Sequence, residues 1–211
     1  MKLYFKLKYY LLRIYLIPRC YGSKKNNLTI GSLKLSGLSY IFFSKTSIHN
    51  KIQIGHNVTA KNLAIVFTGD NNTLIIADNV TWSGQILIHC SNRTVKIGQN
   101  SRALNVYLVA RDKNITIGEN CLFSRGIEIR ATDVHKIYDK DSHELLNKSK
   151  EVYIGDNVWV AAKVTISKGS YIPNWSVIGA NSFVNSAFKL ENTIIAGIPA
   201  KIVKKNIYWK R

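Results

Sequence analysis

Aliphatic residues recur at every sixth position in the last third of the chain: Ile154, Val160, Ile166, Ile172, Ile178 and Val184. Four residues after each of the first five stands a small residue, in turn Val158, Val164, Ser170, Ser176 and Ser182. A period of six fits neither a helix nor a lone strand. It predicts a short strand, a turn and a repeat, with three steps closing one triangular coil of about eighteen residues. Each sixth side chain then points inward and stacks on the coil below. The small residue fits the crowded corner.

A looser repeat carries the pattern toward the N-terminus. It reads Ile52-Gln-Ile-Gly-His-Asn-Val58, Leu74-Ile-Ile-Ala-Asp-Asn-Val80, Val95-Lys-Ile-Gly-Gln-Asn-Ser101, Ile115-Thr-Ile-Gly-Glu-Asn-Cys121 and Val152-Tyr-Ile-Gly-Asp-Asn-Val158. The corner residues Gly55, Ala77, Gly98, Gly118 and Gly155 are separated by 22, 21, 20 and 37 residues. Glycine and asparagine suit corners with unusual backbone angles. The shorter spacings are one coil plus a few loop residues. The spacing of 37 is one coil plus a long insertion, because residues 131–150 lack the repeat and are polar throughout. A long polar loop on a rigid solenoid is a natural carrier of function. Asn-x-Ser/Thr triplets such as Asn57-Val-Thr59 arise from the corner pattern and carry no functional weight.

The repeat predicts an all-β chain: a parallel β-helix over residues 26–205, a basic amphipathic segment over 1–25 and a basic tail over 206–211, with short helical termini. The apolar stretch from Tyr9 to Ile17 is broken by Arg13 and is too short to span a bilayer. No small-residue cleavage site follows it. Residues 1–20 are therefore expected either to pack against the body or a neighbouring subunit, or to lie on the inner face of a membrane.

Composition adds an electrostatic constraint. Thirty Lys and Arg stand against 12 Asp and Glu, a formal net charge of +18. Part of this follows from a general richness in Lys, Asn and Ile. The rest points to an anionic partner. The basic residues are not interleaved with aromatics in a nucleic-acid motif, so nucleic acid is not expected. Cys20, Cys90 and Cys121 are odd in number and widely spaced, which supports neither a zinc site nor a disulfide framework and points to a reducing, cytoplasmic compartment.

Three segments carry a family likeness. Ile154-Gly-Asp-Asn-Val-Trp-Val-Ala-Ala-Lys-Val-Thr-Ile-Ser-Lys-Gly, Ser176-Val-Ile-Gly-Ala-Asn-Ser-Phe-Val184 and Ala196-Gly-Ile-Pro-Ala-Lys-Ile-Val203 resemble the hexapeptide-repeat acyltransferases. The loop Arg130-Ala-Thr-Asp-Val-His-Lys-Ile-Tyr-Asp139 resembles that of capsule and exopolysaccharide O-acetyltransferases, including those acting on sialic acid polymers. The resemblance covers roughly residues 50 to 205. It implies a left-handed parallel β-helix, acetyl-CoA as donor, no metal, and a homotrimer with sites between subunits.

The resemblance also implies roles. His135, 24 residues before Trp159, is the general base. Asp133 or Asp139 would fix its tautomer, and His143 in the same loop is the alternative base. Trp159 would wall the acyl group and offer its indole N–H. A backbone donor near Ala161 or Ala162 would stabilise the developing oxyanion. Ala162, Ala180, Asn185 and Ser186 would line the pantetheine arm, and Lys201 and Lys204 would meet the phosphates. Residues 158–211 hold eight Lys or Arg and one acid, Glu191, so this end is net +7. Arg111, Arg125 and Arg130, with Asn105, are candidates for the acceptor, since Arg grips carboxylates with two prongs. An acidic sugar suits them. A small neutral sugar acceptor, N-acyl transfer to an amino sugar, and a non-catalytic scaffold are the other readings.

Overall fold

The computed structural model describes residues 19–22 and 24–210. It is the left-handed parallel β-helix that the repeat and the resemblance predict, of about seven turns. Each coil lays one strand on each of three faces. The first face stacks seven parallel strands, from Asn27–Ile30 through Lys51–Ile54, Thr73–Ile76, Thr94–Ile97, Ile115–Ile117 and Val152–Ile154 to Tyr171–Ile172. The second and third faces share one larger sheet, because the strands Val58–Phe67, Thr81–His89 and Arg102–Arg111 run through the corner between them. Register shifts at Lys61/Leu63 and Ala103/Val106 mark that corner.

The inward residues form vertical ladders. On the first face Ile30, Ile54, Ile76, Ile97, Ile117, Ile154 and Ile172 stack in register. On the second face the column is Ala60, Trp82, Ala103, Phe123, Val160, Ile178 and Ile195. Small residues above and below Trp82 make room for its ring, which packs 5.5 Å from Phe123. This is how close packing is kept when one member of a ladder is large. The six aliphatic residues from Ile154 to Val184 are all fully buried, and each contributes about 1.5–3 kcal/mol of apolar burial. Burial pushes the Cys121 thiol up to about 12, which marks it as a core residue.

Asparagine shapes the first corner, between the first and second faces. Asn57, Asn79, Asn100, Asn120 and Asn157 all sit at φ of 54–60°, and side-chain bonds link Asn57 to Asn79 and Asn100 to Asn120. Asparagine tolerates this left-handed conformation better than other residues with side chains. The next coil breaks the series with Trp175 at φ 57°.

The C-terminal end differs from the expectation. Among the described residues there is no helix, so the predicted short C-terminal helix is corrected. Residues 206–210 instead run back along the first corner, where tertiary contacts replace helical hydrogen bonds. The strand Arg19–Tyr21 pairs with Tyr40–Phe43 on the third face. The expected N-terminal helix, and the packing or membrane contact of residues 1–20, fall almost wholly on residues 1–18, outside the described residues. No helix of the described residues is long and apolar enough to cross a membrane.

Candidate active site

The 131–150 insertion leaves the third corner, between the third and first faces. It folds as a hairpin with an antiparallel bridge between Tyr138 and Leu145. Asp112 clamps its two stems: one carboxylate oxygen accepts from Thr132 Oγ1 at 3.0 Å and Ser149 Oγ at 3.3 Å. The other accepts from the Cys90 thiol. Asn147 ties the interior. Its Nδ2 donates to Asp133 at 3.0 Å and to the His135 carbonyl at 2.8 Å, and its Oδ1 accepts from the Ile137 amide at 2.7 Å. Lys168, one coil further on, pairs with Asp133 and donates to the Asn147 carbonyl.

His135 therefore stands on a fixed stem. Val134, just before it, is at φ 69°, a strained setting for a β-branched residue. The His135 side chain is exposed, and neither ring nitrogen is hydrogen-bonded to a described residue. Of the two carboxylates considered as its orienter, Asp133 is held by Lys168 and Asn147. Partial burial raises the Asp133 carboxyl, but those hydrogen bonds and the Lys168 charge outweigh it, so it titrates below the usual range. Asp139 caps the distal turn. The Ser142 amide and hydroxyl and the Asp141 amide hold its carboxyl low as well. His143 lies in that turn, with its amide bonded to the Asp139 carbonyl at 3.1 Å.

Trp159 projects from the second face at 39% exposure, on the strand Trp159–Val160 between Leu122 and Val177. Just beyond it the chain turns the second corner. The Ala161 amide is spent in the coil ladder, on the Ile178 carbonyl at 3.0 Å. The Ala162 amide has no partner among the described residues, which makes it the donor available to a ligand. Two residues past the paired Phe123, Val160, Ile178 and Ile195 come Arg125, Ala162, Ala180 and Gly197. Side chains shrink along this corner toward the C-terminus. At Gly179 a Cβ would stand 2.8 Å from that of Ala196. Lys201 lies opposite Ala196, and Lys204 opposite Ile194, in an antiparallel pair that closes this edge. Both lysines are exposed.

The structure thus divides the sequence-derived residues into two groups. The second face and second corner bring together Trp159, Ala161, Ala162, Ala180, Lys201 and Lys204, and a groove there holds Asn105 and Arg125 with Lys61 and Leu104. The third corner collects His135, Asp133, Asn185, Ser186, Arg111 and Arg130. Asn185 shares a groove with Asp133, Asn147, Lys150 and Lys168. Ser186 is bonded to Asn185 at 3.2 Å. Arg130 pairs with Glu128 and lies 5.4 Å above the Tyr107 ring. The Arg111 Nε is buried without a hydrogen-bond partner. In a triangular section the third corner lies opposite the second face, so the solenoid itself separates the two groups.

Sequence reasoning missed Asn147, Lys168 and Asp112, which build the loop, and Trp209, whose ring packs 6.1 Å from Trp159. Asparagine inside a polar loop is a turn signal. Nothing in the spacing marks Lys168 or Asp112, whose partners lie 35 and 20 residues away.

No family model matches the chain. It is 40% identical over 164 residues, 77% of its length, to the polysialic acid O-acetyltransferase of Neisseria meningitidis, and spans 76% of that protein. The structure superposes on the crystal structure of the polysialic acid O-acetyltransferase OatWY with a TM-score of 0.84 and 35% identity, covering 92% of each chain. It superposes on the polysialic-acid-specific acetyltransferase NeuO with a TM-score of 0.81 and 32% identity, covering 94% of this chain and 90% of NeuO. With this agreement in sequence and fold along most of its length, the chain belongs to the polysialic acid O-acetyltransferase family of hexapeptide-repeat enzymes.

Proposed function

We propose that this chain moves an acetyl group from acetyl-CoA to a hydroxyl of an acidic capsular glycan, polysialic acid first among them, at sites formed between subunits of a homotrimer. The observation that carries the reading is the division of the site. One subunit supplies the third corner, with His135, Asn185, Ser186 and Lys168. Its neighbour supplies the second face and corner, with Trp159, Ala162, Ala180 and Lys201. The hairpin supports this arrangement, because a loop that is polar by sequence carries exposed Ile137, Tyr138 and Leu146 on its two arms, at 57%, 53% and 60% exposure. Clustered apolar side chains on a hairpin suit a protein surface rather than water. Cyclic closure then repeats one interface three times.

Bound coenzyme A supplies the acetyl thioester. The His135 imidazole takes the acceptor hydroxyl proton as the C–O bond forms and later returns it to the departing sulfur, a role worth about 10²–10⁴ in rate. The Ala162 N–H points its dipole at the charge developing on the carbonyl oxygen. Trp159 walls the acyl group. Lys201 and Lys204 meet the phosphates. Lys201→Ala is expected to raise the apparent KM for acetyl-CoA about tenfold with kcat little changed, read from initial rates. An unchanged KM removes Lys201 from the cofactor groove.

Arg111, at the third corner, and Arg125 with Asn105, at the second, would face one acceptor cleft across the subunit boundary. Arg130 would join them on exchanging Glu128 for a ligand carboxylate. The net charge of +18 steers a polyanion toward such a cleft. The compartment proposed is the cytoplasm.

The deciding experiment is thiol release from acetyl-CoA with sialic acid oligomers, neutral sugars or buffer alone. Release that requires the sialylated acceptor is the expected result. Release only with neutral sugars overturns the acidic acceptor, and no release from any acceptor, together with no coenzyme A binding, overturns the enzyme reading of this chain.

A further inference from the structure

Ile207, Tyr208 and Trp209 climb the first corner, one residue to each coil. Ile207 exchanges hydrogen bonds with Asn192: its amide donates to the Asn192 carbonyl at 2.9 Å, and its carbonyl accepts from Asn192 Nδ2 at 3.3 Å. Tyr208 lies against Trp175, with ring centroids 6.2 Å apart. Trp209 reaches the coil above, where its indole Nε1 donates to the Asn157 carbonyl at 2.8 Å and its ring meets Trp159.

Two independent features mark this path as built. Trp175 occupies the corner position that asparagine holds in the coils on either side, Asn157 and Asn192, and it accepts the same left-handed backbone, φ 57°. A local rule broken at a bulky residue is kept only where that side chain is used. Here it is the platform for Tyr208. Trp159, for its part, stands on an outward strand position, and its one ring contact among the described residues is with Trp209.

We infer that Trp209 is a positioning residue: it fixes the Trp159 ring and thereby limits the size of the acyl group transferred. The inference rests on the proposed place of Trp159 at the acyl wall. The Trp209 ring occupies the space into which Trp159 would otherwise swing, and its N–H anchor keeps it there. With Trp209 removed, Trp159 gains rotamers, and the wall both loosens and recedes.

The test uses the full-length enzyme and compares kcat/KM for acetyl-CoA and butyryl-CoA in wild type, Trp159→Ala, Trp209→Ala, Trp209→Phe and the double alanine variant. Trp209→Ala is expected to lose about tenfold with acetyl-CoA and about tenfold in its preference for acetyl over butyryl, the scale on which pockets discriminate methylenes. Trp209→Phe, which keeps a ring but not the anchor, falls between. In the Trp159→Ala background, removal of Trp209 has no further effect, because both act through one wall. An acyl preference unchanged in Trp209→Ala, while Trp159→Ala does change it, overturns the positioning role alone. Wild-type rates and preference in Trp159→Ala overturn the acyl-wall reading, and the inference with it. A lowered Tm with unchanged preference assigns the tail to stability and also overturns the inference.

Discussion

His135→Ala is expected to lower kcat by about 10²–10⁴-fold while leaving the fold and coenzyme A binding intact. A sugar hydroxyl does not ionise near neutral pH, so attack on a thioester needs a base in place as the bond forms. His135 is exposed and sits next to strained Val134. Its position is set by Asn147, Lys168 and Asp112 rather than by its own ring. Removal of the imidazole leaves each of those bonds standing, so circular dichroism and thermal melting should match wild type. His143→Ala is the control. That residue lies in the distal turn capped by Asp139, away from the anchored stem, and its loss should change the rate by no more than a few-fold. Thiol release measured with both variants separates the two histidines: an active His135→Ala enzyme with an inactive His143→Ala enzyme would move the base to the turn.

The sequence made the solenoid legible because a β-helix repeats one local rule. The pairing of Ile117 with Ile154 across the insertion is still found by the same Ile-Gly corner that pairs Ile97 with Ile117. The loop was legible as a break in the rule, and His135 and Trp159 as parts of a known motif. The loop's architecture was not legible. Asp133 looks in sequence like a partner for His135, two residues away, yet it is drawn to Lys168, 35 residues on, because the third corner stacks Lys168 beneath the loop stem. The basic tail over 206–211 carries no repeat, and its expected helical end does not form. Its structure is decided instead by Tyr208 and Trp209, whose partners Trp175 and Asn157 become neighbours only when coils stack. Periodicity reports which side chains point inward. It is silent on which outward side chains meet across coils, and those contacts set the loop stem and the Trp159 ring.

The divided site gives the second large effect. Two proteins of strongly reduced activity, His135→Ala and Trp159→Ala, are expected to regain activity when co-expressed with different tags and purified through both. Suppose each site joins the third corner of one subunit to the second face of the next. In a mixed trimer, one of the three sites then receives intact His135 from the Trp159→Ala subunit and intact Trp159 from the His135→Ala subunit. Random assembly makes about three-quarters of trimers mixed, so about a quarter of wild-type sites are restored in the whole population, and about a third in the doubly purified fraction. A site contained in one chain gives no such gain, because every subunit carries one lesion and the rates only add. The same experiment with Ile137 and Leu146 changed to Asp in both copies should fail to restore activity, since the apolar arms of the hairpin would no longer seat on the neighbour. Restoration near a third, lost with the charges on the hairpin, follows from the opposition of corner and face. Activity equal to the sum of the two parents would put the whole reaction on one subunit and require the hairpin to bend around its own solenoid to reach Trp159.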